Sequence, residues 1–177
     1  MFIEIADLKP EPLHIHHVYR ADEIPFKHVD AGLDAPVSVD FVLTHTDKDL
    51  RVGGTVETSI RFKCSRCTKE FLRPFSASYD LFYAPQPQLS GGDDEIELKY
   101  EDMEIAFYDG VRFDIDLMVL EQIELSMPMR FICGEGCKGL CYICGADLNK
   151  GACSCKREQP DSRFAALLEF RNKKGEK

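Results

Sequence analysis

Eight cysteines are the residues of this 177-residue chain whose spacing points most directly to chemistry: Cys64, Cys67, Cys133, Cys137, Cys141, Cys144, Cys153 and Cys155. Cys64-Ser-Arg-Cys67 and Cys141-Tyr-Ile-Cys144-Gly145 each set two sulfurs on one tight turn. Such a turn aims backbone N–H groups at the thiolates and gives both sulfurs access to a single ion. Eight divides into two sets of four, the coordination number of zinc, and reduced cytosolic thiols make disulfides a poor account of the same pattern. The expected cofactor is therefore Zn²⁺, as two structural ions. An all-thiolate tetrahedron leaves no open position for water or substrate, which removes most hydrolase chemistry. A thioredoxin-type CxxC stands at a helix N-terminus after a strand, where the dipole lowers a thiol pKa. Here the first pair falls in a hairpin and the second in a glycine-rich knuckle, so thiol redox catalysis is not expected.

The eight sulfurs can be divided in three ways. The preferred division joins Cys64 and Cys67 to Cys133 and Cys137 and closes a second site from Cys141, Cys144, Cys153 and Cys155. All four of the second set lie within fifteen residues, so closing that loop costs little entropy. A ribbon-like alternative joins the two knuckles and leaves Cys133, Cys137, Cys153 and Cys155 together. In a third, crowding between Cys133 and Cys144 lets only one tetrahedron fill.

The elements that must hold these residues show in the hydropathy pattern. Three stretches alternate with period two: Val37 to Leu43, Val52 to Phe62 and Phe71 to Tyr83. Short links join them, the second being the Cys64–Thr68 loop, so an antiparallel meander is the economical topology. Gly53 and Gly54 inside the second strand read as a bulge or tight bend. Leu13 to Arg20 reads as another strand, with His14 and His16 exposed on one face rather than ligating a metal. The stretch 84–94 (APQPQLSGGDD) reads as a surface loop. Ile96, Leu98 and Tyr100, then Val111, Phe113 and Ile115, suggest further strands around an Asp109-Gly110 turn. Asp116 is placed to cap a helix from Leu117 to about Met127, ended by Pro128, with Leu120, Ile123 and Met127 on its buried face. Glu121 and Glu124 on that helix read as a solvated face, not an acid–base pair. A last helix is expected from about Ser162 to Asn172. The fold class is α+β: an antiparallel sheet or partly open barrel, one or two packing helices and a cysteine-rich zinc-binding region. The divisions are an N-terminal extension packing on the sheet (1–34), a mainly antiparallel β domain (35–128), the zinc-binding region (129–160) completed by Cys64 and Cys67, and a C-terminal helix with a basic tail (161–177).

The formal charge is −9, which opposes indiscriminate nucleic-acid binding. The total hides an asymmetry: residues 1–125 hold 12 Lys/Arg against 25 Asp/Glu, a balance of −13, and residues 126–177 hold 10 against 6, a balance of +4. Acids at Glu4 and Asp7 and the early Pro10 interrupt any secretory apolar stretch, and no run approaches the ~20 apolar residues of a spanning helix. The expectation is a cytoplasmic protein with no membrane partner and no small-molecule substrate.

Cys64-Ser-Arg-Cys67 with Glu70-Phe71, Glu121 to Pro128, Cys137-Lys-Gly-Leu-Cys141-Tyr-Ile-Cys144-Gly-Ala-Asp-Leu-Asn149, Cys153-Ser-Cys155, and Asp161 with Arg163 form a composite that resembles the bacterial and plastid YceD-like family, the large ribosomal RNA subunit accumulation proteins. The resemblance covers roughly residues 35 to 170. It implies a role in the synthesis, processing or stability of 23S ribosomal RNA, without an established catalytic activity and without supplying a mechanism; the expected partner is ribosomal RNA or a pre-ribosomal particle, met directly or through a ribosomal or assembly protein.

The residues themselves suggest how RNA would be met. Arg61, Lys63, Arg66, Lys69 and Arg73 surround the first knuckle, and Lys138, Lys150, Lys156 and Arg157 surround the second. If Cys133 and Cys137 join the first knuckle, zinc gathers both groups into a basic face on an acidic body, suited to phosphates. Tyr142 and Phe71 are the clear aromatics there, too few for recognition by base stacking. The alternative is an adaptor whose acidic sheet docks a ribosomal or assembly protein without touching RNA.

Overall fold

The computed structural model describes residues 1–47, 49–86 and 105–155. They form β1 (Phe2–Glu4), a 3-10 turn (Ile5–Asp7), β2 (Leu13–Tyr19), β3 (Ala31–Leu33), β4 (Val37–Thr46), β5 (Asp49–Lys63), β6 (Glu70–Pro85), β7 (Ile105–Tyr108), β8 (Arg112–Asp114) and α1 (Ile115–Ser126). The chain divides into two compact units, Met1–Glu135 and Gly136–Lys177.

The first unit is organised by the three stretches of period-two alternation. β4, β5 and β6 pair antiparallel in sequence, with unbroken registers such as Val39↔Val56↔Ala77 and Leu43↔Val52↔Leu81. Alternate residues face inward, so Val37, Val39, Phe41, Leu43, Leu50, Val52, Val56, Ile60 and Phe62 are buried. Each such side chain contributes about 1.5–3 kcal/mol on removal from water. The sheet is mixed rather than purely antiparallel, because β7 joins β6 in parallel. It is an open sheet of order β2-β4-β5-β6-β7 and not a closed barrel. β3 continues the line of β4 on the same edge of β5, opposite Ile60 to Phe62. The break between β3 and β4 stays bonded to β5: the Asp34 N–H donates to the Ser59 carbonyl at 2.9 Å and the Thr58 hydroxyl to the Ala35 carbonyl at 3.1 Å.

Gly53 and Gly54 form no bulge; the β4–β5 register runs through both. A Cβ on Gly54 would lie 2.3 Å from the Asp40 carbonyl oxygen and 2.5 Å from Phe41 Cβ. The residue is glycine because the neighbouring backbone approaches too closely for a side chain.

Asp109-Gly110 turns the chain, but β7 and β8 on either side pair with different strands, β6 and β1. The turn is a corner, held by Asp109, whose carboxylate accepts from the N–H groups of Val111 and Arg112 at 2.8 and 2.7 Å. The helix cap is Asp114 rather than Asp116, with its Oδ1 accepting from the N–H groups of Asp116 and Leu117. Asp116 is engaged elsewhere, accepting from the Tyr19 hydroxyl at 2.8 Å. Ile115, Met118, Val119 and Ile123 are buried, with Leu120 and Met127 partly so, while Glu121 and Glu124 are exposed. α1 lies against β1, β5 and β6. His14 and His16 share the outer face of β2, and His16 pairs with Asp40 at 2.7 Å. The expected strand over Ile96 to Tyr100, residues 87–94 of the expected loop and the helix from Ser162 to Asn172 lie outside the described residues. Among the described residues no helix is long and apolar enough to cross a membrane.

Candidate metal centres

The first knuckle is the tip of the β5–β6 hairpin. Lys63↔Glu70 is the last rung of its ladder. The turn is closed by the Cys64 N–H donating to the Lys69 carbonyl and the Thr68 N–H to the Cys64 carbonyl, both at 2.9 Å. The second knuckle repeats this arrangement: its rung is Leu140↔Asp147, and the Cys141 N–H donates to the Ala146 carbonyl and the Gly145 N–H to the Cys141 carbonyl, both at 2.8 Å. In each, the residue after the second cysteine has a positive φ, 59° at Thr68 and 72° at Gly145. Glycine adopts this conformation freely, whereas a β-branched residue does so at a cost of about 1–2 kcal/mol. The Thr68 hydroxyl offsets part of that cost by donating to the Cys67 carbonyl at 2.7 Å.

Cys133 reaches the first knuckle through the segment just before it. The Ser65 N–H donates to the Phe131 carbonyl at 2.7 Å, and the Phe131 N–H donates back to Ser65 Oγ at 3.2 Å. Arg73 donates to the Ile132 carbonyl at 3.3 Å, and the Phe131 ring packs on Phe62 with centroids 4.5 Å apart. Cys67 and Cys133 are thereby held with sulfurs 3.7 Å apart. Zn–S bonds of about 2.3 Å give a tetrahedral edge of about 3.8 Å, so this spacing suits two ligands of one ion. The sulfurs of Cys64, Cys67, Cys133 and Cys137 all lie within 4.8 Å of one another, and so do those of Cys141, Cys144, Cys153 and Cys155. The grouping is the preferred of the three divisions, and the ribbon-like one is not adopted. Both groups can hold a metal ion.

Backbone dipoles prepare two of the sulfurs for a cation. Burial pushes the Cys64 thiol up, but N–H groups of Cys133, Cys67 and Arg66 outweigh it and bring the pKa down to about 6. At Cys141 the N–H groups of Cys144 and Ile143, with a bond from Cys153, also bring it to about 6. Cys155 moves the other way, to about 12, chiefly through its hydrogen bond with Cys144 and then desolvation. In the reduced, metal-stripped chain, the folded state holds fewer protons on Cys64 and Cys141 than the unfolded state, whose thiols titrate near 8.5. Stability should therefore rise from about pH 6 towards pH 7.5 and be lost as pH drops through 6, while Cys155, raised in the folded state, opposes the rise only as pH nears the unfolded value of about 8.5. Urea midpoints across that range, with chelator and reductant present, test this; a flat profile would contradict it.

Sequence reasoning assigned no role to Asn149. Its Nδ2 donates to the Cys137 sulfur at 3.7 Å and to Asp147 Oδ1 at 2.7 Å, while its Oδ1 accepts from the Lys138 N–H at 2.8 Å. Asn149 therefore orients one ligand and fixes the chain beside it. The available signal was Asp147-Leu-Asn149, the spacing of a side chain bonding the backbone two residues on, as the Asn149 N–H does with Asp147 Oδ1 at 3.0 Å. Asn149→Ala should weaken metal binding at the first group by about 10–100-fold, read by competition with a chromophoric chelator. Unchanged affinity would show the amide to be a bystander.

The basic residues named from sequence divide. Arg61 is ion-paired with Asp34, and Lys63 stands 3.9 Å from Asp30. Arg73 bonds Ile132 and lies over the Phe71 ring. Arg66 and Lys69 are exposed on the first knuckle's turn, and Lys138 and Lys150 are exposed in the second unit. Lys156 and Arg157 lie outside the described residues.

The family model described as "Large ribosomal RNA subunit accumulation protein YceD" matches residues 52–171. Over 166 residues the chain is 28% identical to the Arabidopsis thaliana "Large ribosomal RNA subunit accumulation protein YCED homolog 1, chloroplastic", covering 82% of this chain and 51% of that protein. The Zea mays protein of the same name is 28% identical over 143 residues, 68% of this chain and 49% of that protein. An uncharacterized protein of Mycobacterium tuberculosis is 25% identical over 175 residues, 96% of this chain and 81% of that protein. The chain thus spans about half the length of these chloroplastic relatives. No solved structure matches it.

Proposed function

The chain belongs to the YceD family of large ribosomal RNA subunit accumulation proteins, and from that premise we propose that it is a non-enzymatic factor, built on two structural zinc ions, that supports the synthesis, processing or stability of 23S ribosomal RNA. The observation that carries the zinc part is the donor set: two closed groups of four cysteine sulfurs, with the spacing of tetrahedral thiolate sites. When bound, the ion would supply cross-linking and charge neutralisation rather than a reactive position.

In this reading the RNA contact is made by the basic residues of each knuckle: Arg61, Lys63, Arg66, Lys69 and Arg73 for the first, and Lys138, Lys150, Lys156 and Arg157 for the second. Arg66 and Lys69 matter most, since they project from a turn fixed by ligand geometry. The test is affinity of the purified chain for fragments of 23S RNA over a salt series. Each phosphate neutralised should contribute a slope of about −0.7 to −0.9 in log K against log salt, and a Arg66→Ala, Lys69→Ala double variant should flatten that slope. Binding only to protein-containing particles, with none to naked RNA, would remove direct contact. A second reading is the adaptor that docks a ribosomal or assembly protein. It is favoured by one observation: Arg61 is already ion-paired with Asp34.

A further inference from the structure

Beside the first knuckle, a groove of about 520 Å³ runs between the C-terminal end of α1 and the loop that carries His28 and Asp30. Its apolar lining is Met127, Pro128, Met129 and Phe131, and its acids are Asp30 and Glu124. Of these, Met129 lies fully bare, at 102% exposure. Contiguous apolar side chains in an open groove, flanked by acids, are the composition of a docking surface.

The charge at this end of α1 runs against the helix. A helix C-terminus carries partial negative charge and is favoured by nearby cations. Here the last turn holds no basic residue, and Glu124 adds a negative charge. Asp30 has Lys63 at 3.9 Å, beyond hydrogen-bonding distance, so its oxygens can still accept from a closer donor. The loop that presents it is fixed: the Asp30 N–H donates to His28 Nδ1 at 3.1 Å, and the His28 ring packs edge-on to Phe131. None of the groove's lining residues is Lys or Arg. Lys63 stands beside Asp30, and the exposed Arg130 falls between Met129 and Phe131 in the chain, but the lining itself offers only carboxylates, so a cation with an apolar stem would be held by them, the helix end and the methionines together.

We propose that this groove docks a basic polypeptide segment of a protein partner, with an apolar residue seated among Met127, Met129 and Phe131 and a Lys or Arg held between Asp30 and Glu124. Methionine side chains adapt to varied apolar partners, so the apolar specificity is loose and the charge requirement is strict. The proposal rests on the adaptor reading above; Lys63, one of the basic residues assigned to RNA, stands beside Asp30 at the groove's edge, so peptide and RNA affinities are measured on the same variants to tell the two failures apart.

The test uses the full chain and a fluorescein-labelled peptide with two leucines flanked by lysines. Controls are the same peptide with glutamate for lysine and a single-stranded 23S fragment. The lysine peptide should bind at least about tenfold more tightly than its glutamate counterpart. Glu124→Lys and Met129→Ser should each weaken it by about three- to tenfold, leaving the circular dichroism melt and the RNA affinity unchanged. Glu57→Lys makes the same charge change on the outer face of β5 and should have less than half that effect. Equal weakening by Glu57→Lys and Glu124→Lys would reduce the binding to net charge and overturn the groove assignment. Failure of the lysine peptide to bind, or RNA binding lost with Met129→Ser, would overturn it as well.

Discussion

With both proposed zinc sites filled, replacing Cys133 by serine should lower the metal content of the purified chain from about two ions to about one, and should destabilise the first unit by several kcal/mol. A hydroxyl is a far poorer zinc ligand than a thiolate, and structural zinc contributes folding energy directly. Cys64 and Cys67 would remain close together on their turn and Cys137 beside Asn149, but three sulfurs with one open position hold the ion weakly and admit water. The second group shares no ligand with the first, so its ion should stay. Elemental analysis of the variant, paired with a thermal melt, distinguishes the outcomes. Two ions retained would mean that Cys133 is not a ligand, and none retained would mean that the two groups fill cooperatively.

The second large effect lies away from the cysteines. Gly54→Ala should destabilise the sheet by about 3 kcal/mol or more, lowering the melting temperature by about 10 °C. The added methyl would fall 2.3 Å from the Asp40 carbonyl oxygen and 2.8 Å from Phe41 Cα. Those are backbone atoms in the middle of a ladder, so relief requires β4 to move away from β5. Gly53→Ala is the internal control, since its nearest contact is Asp80 Oδ1 at 3.7 Å, and it should cost less than about 1 kcal/mol. Equal melting temperatures for the two variants would refute the close-approach account.

The contrast between those glycines marks where the sequence could be read and where it could not. The alternation in β4, β5 and β6 was legible because one face of each strand is buried and side-chain direction has a period of two. The grouping of cysteines was legible because local loops close at little entropic cost. The meaning of Gly54 was not, since it depends on how near Phe41 comes across the ladder. β7 was missed because a four-residue strand paired in parallel has neither a long alternation nor a hairpin turn to announce it. The cap was misplaced by two residues because Asp114 and Asp116 are equally good cap residues in isolation. The Tyr19 hydroxyl, nearly a hundred positions away, is a bond that Asp116 makes instead. Asn149 was overlooked for a similar reason: its partners become visible only when Cys137 and Lys138 are brought beside it.

The two knuckles are built alike, yet they differ in when they can close as the chain leaves the ribosome. Cys67 must wait for Cys133, 66 residues later, whereas the second group is complete within fifteen residues. In an unstructured chain the longer closure costs about 1.5 kcal/mol more, roughly tenfold in the first group's affinity. The long β5–β6 hairpin removes that handicap if it forms during synthesis, presenting Cys64 and Cys67 as a ready half-site before the remaining ligands emerge. Metal scarcity during translation would then leave nascent chains with a folded sheet and an unlatched end. Zinc supply would act as a checkpoint on newly made copies rather than on mature ones.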